Sequence, residues 1–211
     1  MPTRRATASS TPHARSSVGP ETALWRRADD PPAAHDLAAR RLERERYEHT
    51  RGVAQQAARL ARRARLDREE RRRLLAAAWL HDIGYGLGEG YHPLLGARAL
   101  RQAGHEELAR VVAHHSGAAH QAALMGLPPL EREFPRPAGR MAAILDLVDI
   151  ADLTTGPQGA PLTPAQRFRR AVDRHGTGHP SVRVMVSTIN RLGGDPEVRA
   201  LVEHVSPRSG P

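Results

Sequence analysis

The chain holds twelve histidines and no cysteine. Any metal or acid–base chemistry it performs must therefore use imidazole and carboxylate. Position says more than number. His49 falls on an apolar stripe with Val53, Ala57, Leu60 and Ala64, which recur at three- and four-residue steps. His81-Asp82 closes a second stripe built on Leu74, Leu75 and Ala78, and His92 opens a segment as His92-Pro93. His114-His115 follow Leu108, Val111 and Val112 at helical spacing. Asp146, Asp149 and Asp152 interrupt the otherwise apolar run from Ile144 to Leu153. Inward-facing ionisable groups are expensive to bury unless something compensates them. A divalent cation does so by binding neutral imidazoles and carboxylates together. Without thiolate, the set suits Mn, Fe, Co, Ni, Zn or Mg rather than an iron–sulfur cluster or a thiolate zinc site.

These residues need helices to hold them. The pattern predicts helix from Ala33 to about Ala64 with a break near Glu48, then Asp67 as N-cap of a helix reaching His81. Gly84 to Tyr91 reads as a glycine-rich loop. Further helices are expected at Pro93–Ala103, Glu106–His115, Gly139–Leu153, Pro164–His175, Pro180–Leu192 and Pro196–His204. Ser181 to Ile189 alternates as a strand would, but no other segment supports a sheet. The fold class is all-α. Residues 1–32, rich in Ser, Thr, Pro and Arg, read as a disordered tail, 33–156 as the metal-binding domain, and 157–205 as helices packed on that domain.

Composition narrows the function. All 32 basic residues are Arg, against 23 acidic residues, for a net charge of +9. Long-range attraction then favours anionic ligands. Eight Arg between Arg59 and Arg73 could track a phosphate backbone, but no aromatic residue interleaves them and Asp67, Glu69 and Glu70 lie beside them. They read as solvated helix faces, and nucleic acid is not the expected partner. No apolar run is long enough to span a bilayer, and the first twenty residues contain no apolar signal core. The expectation is a cytoplasmic protein without membrane association.

The order His49, His81-Asp82-Ile83-Gly84, His92, His114-His115, Asp152 resembles the HD-domain superfamily of metal-dependent phosphohydrolases, and the AlaAspLeuThrThrGlyPro context of Asp152 resembles small stand-alone bacterial members. The resemblance covers about Tyr47 to Gly156. It implies a compact helical bundle in which His49, His81, Asp82 and Asp152 hold a first divalent ion. His92, His114 and His115 then match ligands of a second, with Asp82 bridging. One or two ions are allowed. Asp149 is a reserve for Asp152, since residues three apart lie about 60° apart around a helix.

The implied reaction is hydrolysis of a nucleotide or other small phosphate ester by metal-activated water, with Asp82 as the catalytic carboxylate. Candidates to hold the substrate are Arg51, Arg98, Ser116, His120 and Thr155, with Thr154 beside it. Two family features are absent. Tyr91-His92-Pro93 is not the GYP signature of cyclic-di-GMP phosphodiesterases. The acidic residue that some nucleotidase members carry after the HD pair is replaced by Gly84-Tyr85-Gly86, with Glu89 farther along the loop. The same ligand set also admits a mixed-valent di-iron oxygenase or a catalytically silent nucleotide-binding module.

Overall fold

The computed structural model describes residues 20–194. The helices that build the bundle are α1 (Pro20–Trp25), α2 (Pro31–Arg41), α3 (Arg44–Arg63), α4 (Arg68–Leu80), α5 (His92–Gln102), α6 (Glu106–His114), α7 (Ala118–Leu124), α8 (Arg140–Leu153), α9 (Pro164–His175) and α10 (Pro180–Arg191). Among the described residues there is no β-strand, only an isolated bridge between Thr155 and Pro161. The alternating segment Ser181 to Ile189 is helical, and its buried residues include Val184 and Thr188, four apart, and Val182 and Ile189, seven apart, which share a helix face.

The helices form where composition and end signals agree. Ala, Arg, Leu and Glu dominate α3 and α4. Proline stands in the first turn of α2, α5, α9 and α10, where its missing N–H is no loss. Asp67 caps α4 as expected: its carboxylate accepts from Glu70 N at 2.8 Å, and Glu70 accepts from Asp67 N at 3.1 Å. Asp67→Ala should lower stability by about 1 kcal/mol. A drop of roughly 2–4 °C in a thermal melt would show it.

Three sequence expectations need correction. The expected tail ends too late: α1, the turn after it and the start of α2 fall inside residues 1–32. Ala28 is fully buried and Leu24 and Trp25 pack on the main core, so this segment is held by apolar contacts that its polar composition masks. The helix break lies at Leu42-Glu43 rather than near Glu48, because both residues are extended there. A short helix, α7, forms where none was expected, and it buries Ala118 and Ala122 against Leu130. The helix expected at Pro196–His204 and the first nineteen residues lie outside the described residues.

Two packing units matter for the site. The main core runs through α2 to α6 and α8 and is rich in fully buried alanine, including Ala57, Ala61, Ala76, Ala77, Ala109 and Ala151. Small side chains let helix axes approach closely. A second cluster joins Leu153 to Ala165, Phe168, Val182 and Ile189, so α9 and α10 pack on the end of α8 rather than on the main core. Among the described residues no helix is long and apolar enough to cross a membrane.

Candidate metal centre

Four helix ends and one helix middle converge on a buried point. His49 comes from the first half of α3, and His81 and Asp82 follow α4 as it turns into a short 3-10 segment. His92 is the first residue of α5, His115 follows α6, and Asp152 lies in the last turn of α8. Glycine makes the approach possible. A Cβ on Gly84 would overlap the His92 carbonyl oxygen and lie 2.9 Å from Gly96 N. A Cβ on Gly52 would overlap Gly159 and lie 2.7 Å from Thr155 Cγ2. The first contact brings His92 beside the HD turn. The second lets the 156–159 loop dock on α3, where Gly156 O meets His49.

The imidazoles are oriented by backbone. His49 Nδ1 donates to Gly156 O at 3.0 Å, His81 Nδ1 to Ala78 O at 2.8 Å and His115 Nδ1 to Val112 O at 2.7 Å. A carbonyl can only accept, so each Nδ1 carries a proton and each ring turns its Nε2 to the centre, where the neutral form offers a lone pair. There the lone pairs meet carboxylate oxygens. His49 Nε2 is 2.9 Å from Asp152 Oδ1, and His81 Nε2 is 3.3 Å from Asp82 Oδ2. His92 Nε2 and His115 Nε2 lie 3.3 and 3.5 Å from Asp82 Oδ1, and 3.4 Å from each other. His81 Nε2 and Asp152 Oδ1 are buried and make no hydrogen bond.

Acceptor facing acceptor requires positive charge. Protonated imidazoles could supply it, and so could a cation. Charge balance at the carboxylates expresses the same demand. Burial acts to raise Asp82, but His81, His115 and His92 outweigh it and hold the carboxyl well below its ordinary range. Burial likewise opposes His49 in setting Asp152, which is also held low. Burial pulls His92 down, whereas Asp82 overcomes burial to raise His115. The donor atoms fall into two triads, His49, His81 and Asp152 on one side and Asp82, His92 and His115 on the other, each within 4.8 Å of one another. The residues therefore fit a divalent ion, and Asp82 directs one oxygen to each side.

Six of the seven expected ligands come together. His114 does not. Consecutive helical residues point about 100° apart, so His114 and His115 cannot both face the centre from one helix turn. His114 is buried elsewhere and its Nε2 donates to Phe134 O at 2.7 Å. The choice between Asp149 and Asp152 is also decided: Asp152 reaches His49, while Asp149 accepts from Ser116 N at 2.6 Å and pairs with Arg191. Burial pushes Asp149 up to about 7, which the Ser116 amide and Arg191 only partly offset.

The expected substrate contacts fare less well. Ser116 lines the site cavity, though its hydroxyl is bonded to Asp152. Arg51 is exposed and pairs with Glu48, and Arg98 is exposed and pairs with Glu133, so both stand outside the cavity. His120 is not in its lining. The Thr154 and Thr155 hydroxyls donate back to Ile150 O and Ala151 O of their own helix, which is the usual fate of Thr at a helix end. Glu89 is exposed and does not line the cavity. Arg72 and Arg73 of the basic run are bonded to Asp29, Glu69 and Glu107.

Sequence reasoning missed Arg46, Tyr85 and Arg167. Arg46 Nη1 donates to Asp82 Oδ2 at 2.9 Å. Its guanidinium lies 4.3 Å from the Tyr85 ring centroid, and Tyr85 stacks on His92 at 3.9 Å. Tyr85 thus braces both His92 and Arg46 while remaining half exposed. Arg167 Nη2 lies 4.0 Å from Asp152 Oδ1. Arg46 had a legible signal, since it precedes His49 by three residues and shares its helix face. Arg167 had none.

An inner cavity of about 190 Å³ holds Asp82, His92, His115 and Asp152, with Gln121, Ser181, Met185 and Thr188 on its far wall. An outer cleft of about 570 Å³ adds Glu43, Glu45, Pro157 and Arg174. Arg46, His49, Tyr85 and Arg167 border both. No curated protein and no solved structure matches the chain. A family model described as HD domain matches residues 46–156, more than half of the chain and a span that contains all six converging side chains. The chain belongs to the HD-domain family, whose members are generally metal-dependent hydrolases.

Proposed function

We propose that the protein is a metal-dependent phosphohydrolase acting on a nucleotide or another small phosphate ester. One observation carries the reading: three imidazoles, each with its Nδ1–H held by a backbone carbonyl, aim their Nε2 atoms at Asp82 and Asp152. His49, His81 and Asp152 would hold one ion and His92 and His115 a second, with Asp82 shared. A divalent ion supplies Lewis acidity toward a phosphoryl oxygen and makes water acidic enough to attack near neutral pH.

The chain supplies the rest. Arg46 and Arg167 stand at the boundary between the two cavities, where they can hold the non-reacting phosphate oxygens with charge-assisted hydrogen bonds. Arg46 is fixed in place by the Tyr85 ring and Asp82, so little side-chain freedom is lost when it binds. The remainder of the substrate has two places to go. The inner cavity suits a small group against Met185, Thr188 and Gln121, and the outer cleft has room for a nucleoside.

The test is elemental analysis of untagged protein purified without chelator, followed by a phosphate-release screen in the ion found. On the order of one to two equivalents of a first-row ion per chain, with turnover, is the expected result. A chain that takes up no ion on addition of Mn, Fe, Co, Ni or Zn would sink the proposal.

A further inference from the structure

Asp152 is held from behind as well as from the front. Its Oδ2 accepts from the Ser116 hydroxyl while its Oδ1 faces His49. Ser116 sits at φ 49° and ψ 33°, in left-handed backbone that a non-glycine residue rarely adopts. That conformation aims both its N–H and its hydroxyl at α8: the amide donates to Asp149 Oδ1 at 2.6 Å. Asp149 is fully buried, and its second oxygen pairs with Arg191 at the end of α10. Arg191 also bonds Asp146, one helix turn earlier. On the other side of the turn, a Cβ on Gly117 would lie 2.6 Å from Thr188 Oγ1 and 2.8 Å from Val184 Cγ1, so α10 packs directly on this loop.

The chain of contacts is continuous: Arg191, Asp149, Ser116, Asp152. Its last member is a candidate ligand. Its first lies outside residues 46–156, in a helix pair whose apolar contacts are separate from the main core. Without Arg191 the buried Asp149 carboxylate would keep only one donor, and a buried charge with a lost partner relaxes at the expense of its neighbours. We propose that Ser116, Asp149 and Arg191 are positioning residues that set the orientation of Asp152 and make α10 a working part of the metal centre. The proposal rests on the metal reading above. Groups that bond a ligand carboxylate fix its direction, and their loss typically weakens metal binding about 10–100-fold.

Ser116→Gly isolates the effect. Glycine accepts the left-handed backbone more readily than serine, so the turn and its amide bond to Asp149 persist while the hydroxyl disappears. Mn²⁺ titrations by calorimetry on the full chain, wild type and variant, should show at least about a tenfold weaker affinity in Ser116→Gly. The melting temperature of its metal-free form should be unchanged or higher. Arg191→Met and Asp149→Asn should weaken Mn²⁺ binding in the same direction. If these two also melt earlier, Ser116→Gly alone decides. Wild-type Mn²⁺ binding with an unchanged affinity in Ser116→Gly overturns the positioning chain and leaves the metal reading intact. A wild-type chain that binds neither Mn²⁺ nor any other first-row ion overturns both.

Discussion

Asp82→Ala is expected to lower metal affinity by roughly a hundredfold or more and to abolish phosphate release, while leaving a helical spectrum. The size of the effect follows from geometry. Asp82 touches both triads, with Oδ2 beside His81 and Oδ1 beside His92 and His115. Losing a group that merely orients a ligand costs about 10–100-fold, and losing the shared ligand should exceed that. Folding should survive, because the main core is built from apolar contacts that do not involve Asp82. A thermal melt separates the two effects. Binding to the native state alone raises wild-type stability by about 2.7 kcal/mol at an ion concentration a hundred times the dissociation constant. That is a shift of roughly 5–11 °C for a chain of this size. Asp82→Ala should show almost none of it. Wild-type turnover in Asp82→Ala would mean that the catalytic site lies elsewhere.

Gly84→Ala is the second large effect, and its cause is space rather than charge. Gly84 has ordinary backbone angles, so alanine is not excluded by conformation. The added methyl would overlap the His92 carbonyl oxygen, with the carbonyl carbon at 2.7 Å. Backbone cannot swing aside as a side-chain tip can. Overpacking a core typically costs about 1–3 kcal/mol, and a backbone collision belongs at or above the upper end. The melting temperature should fall by roughly 6 °C or more. Because the first turn of α5 must move to relieve the collision, His92 should leave its triad and metal content should fall as well. A Gly84→Ala chain with wild-type melting and metal content would show that the turn after α4 has slack the structure denies it.

Much of this was legible in residue types and spacing. The all-α class follows from apolar positions at three- and four-residue steps between Pro and Gly punctuation. The cap at Asp67 is a local device that works without knowledge of the rest of the chain. The six converging imidazoles and carboxylates were legible for a related reason. Each stands on the inward stripe of a helix or at a helix end, and an inward ionisable residue marks itself by breaking an apolar pattern. His114 deceived that logic because the stripe of α6 is wide enough for two adjacent histidines to be buried. Only the turn of the helix decides which one meets Asp82.

The substrate contacts were not legible, because proximity in sequence is a poor guide to a cavity wall. Arg51 is two residues from His49 and so lies on a different helix face, whereas Arg46, three residues away, shares it. Arg167 enters the site because α9 folds back over the end of α8, through a cluster centred on Leu153 and Phe168. By itself the sequence determined most of the helices, the Asp67 cap, the absence of thiolate chemistry and the ordered set of imidazoles and carboxylates, all properties of local periodicity and side-chain chemistry. Tertiary structure alone decided which lone pairs meet, that Asp152 and not Asp149 is the inner carboxylate, and that α10 braces it through Arg191. Those depend on long-range packing, where a rotation of one residue about a helix axis moves a side chain from the centre to a neighbouring carbonyl.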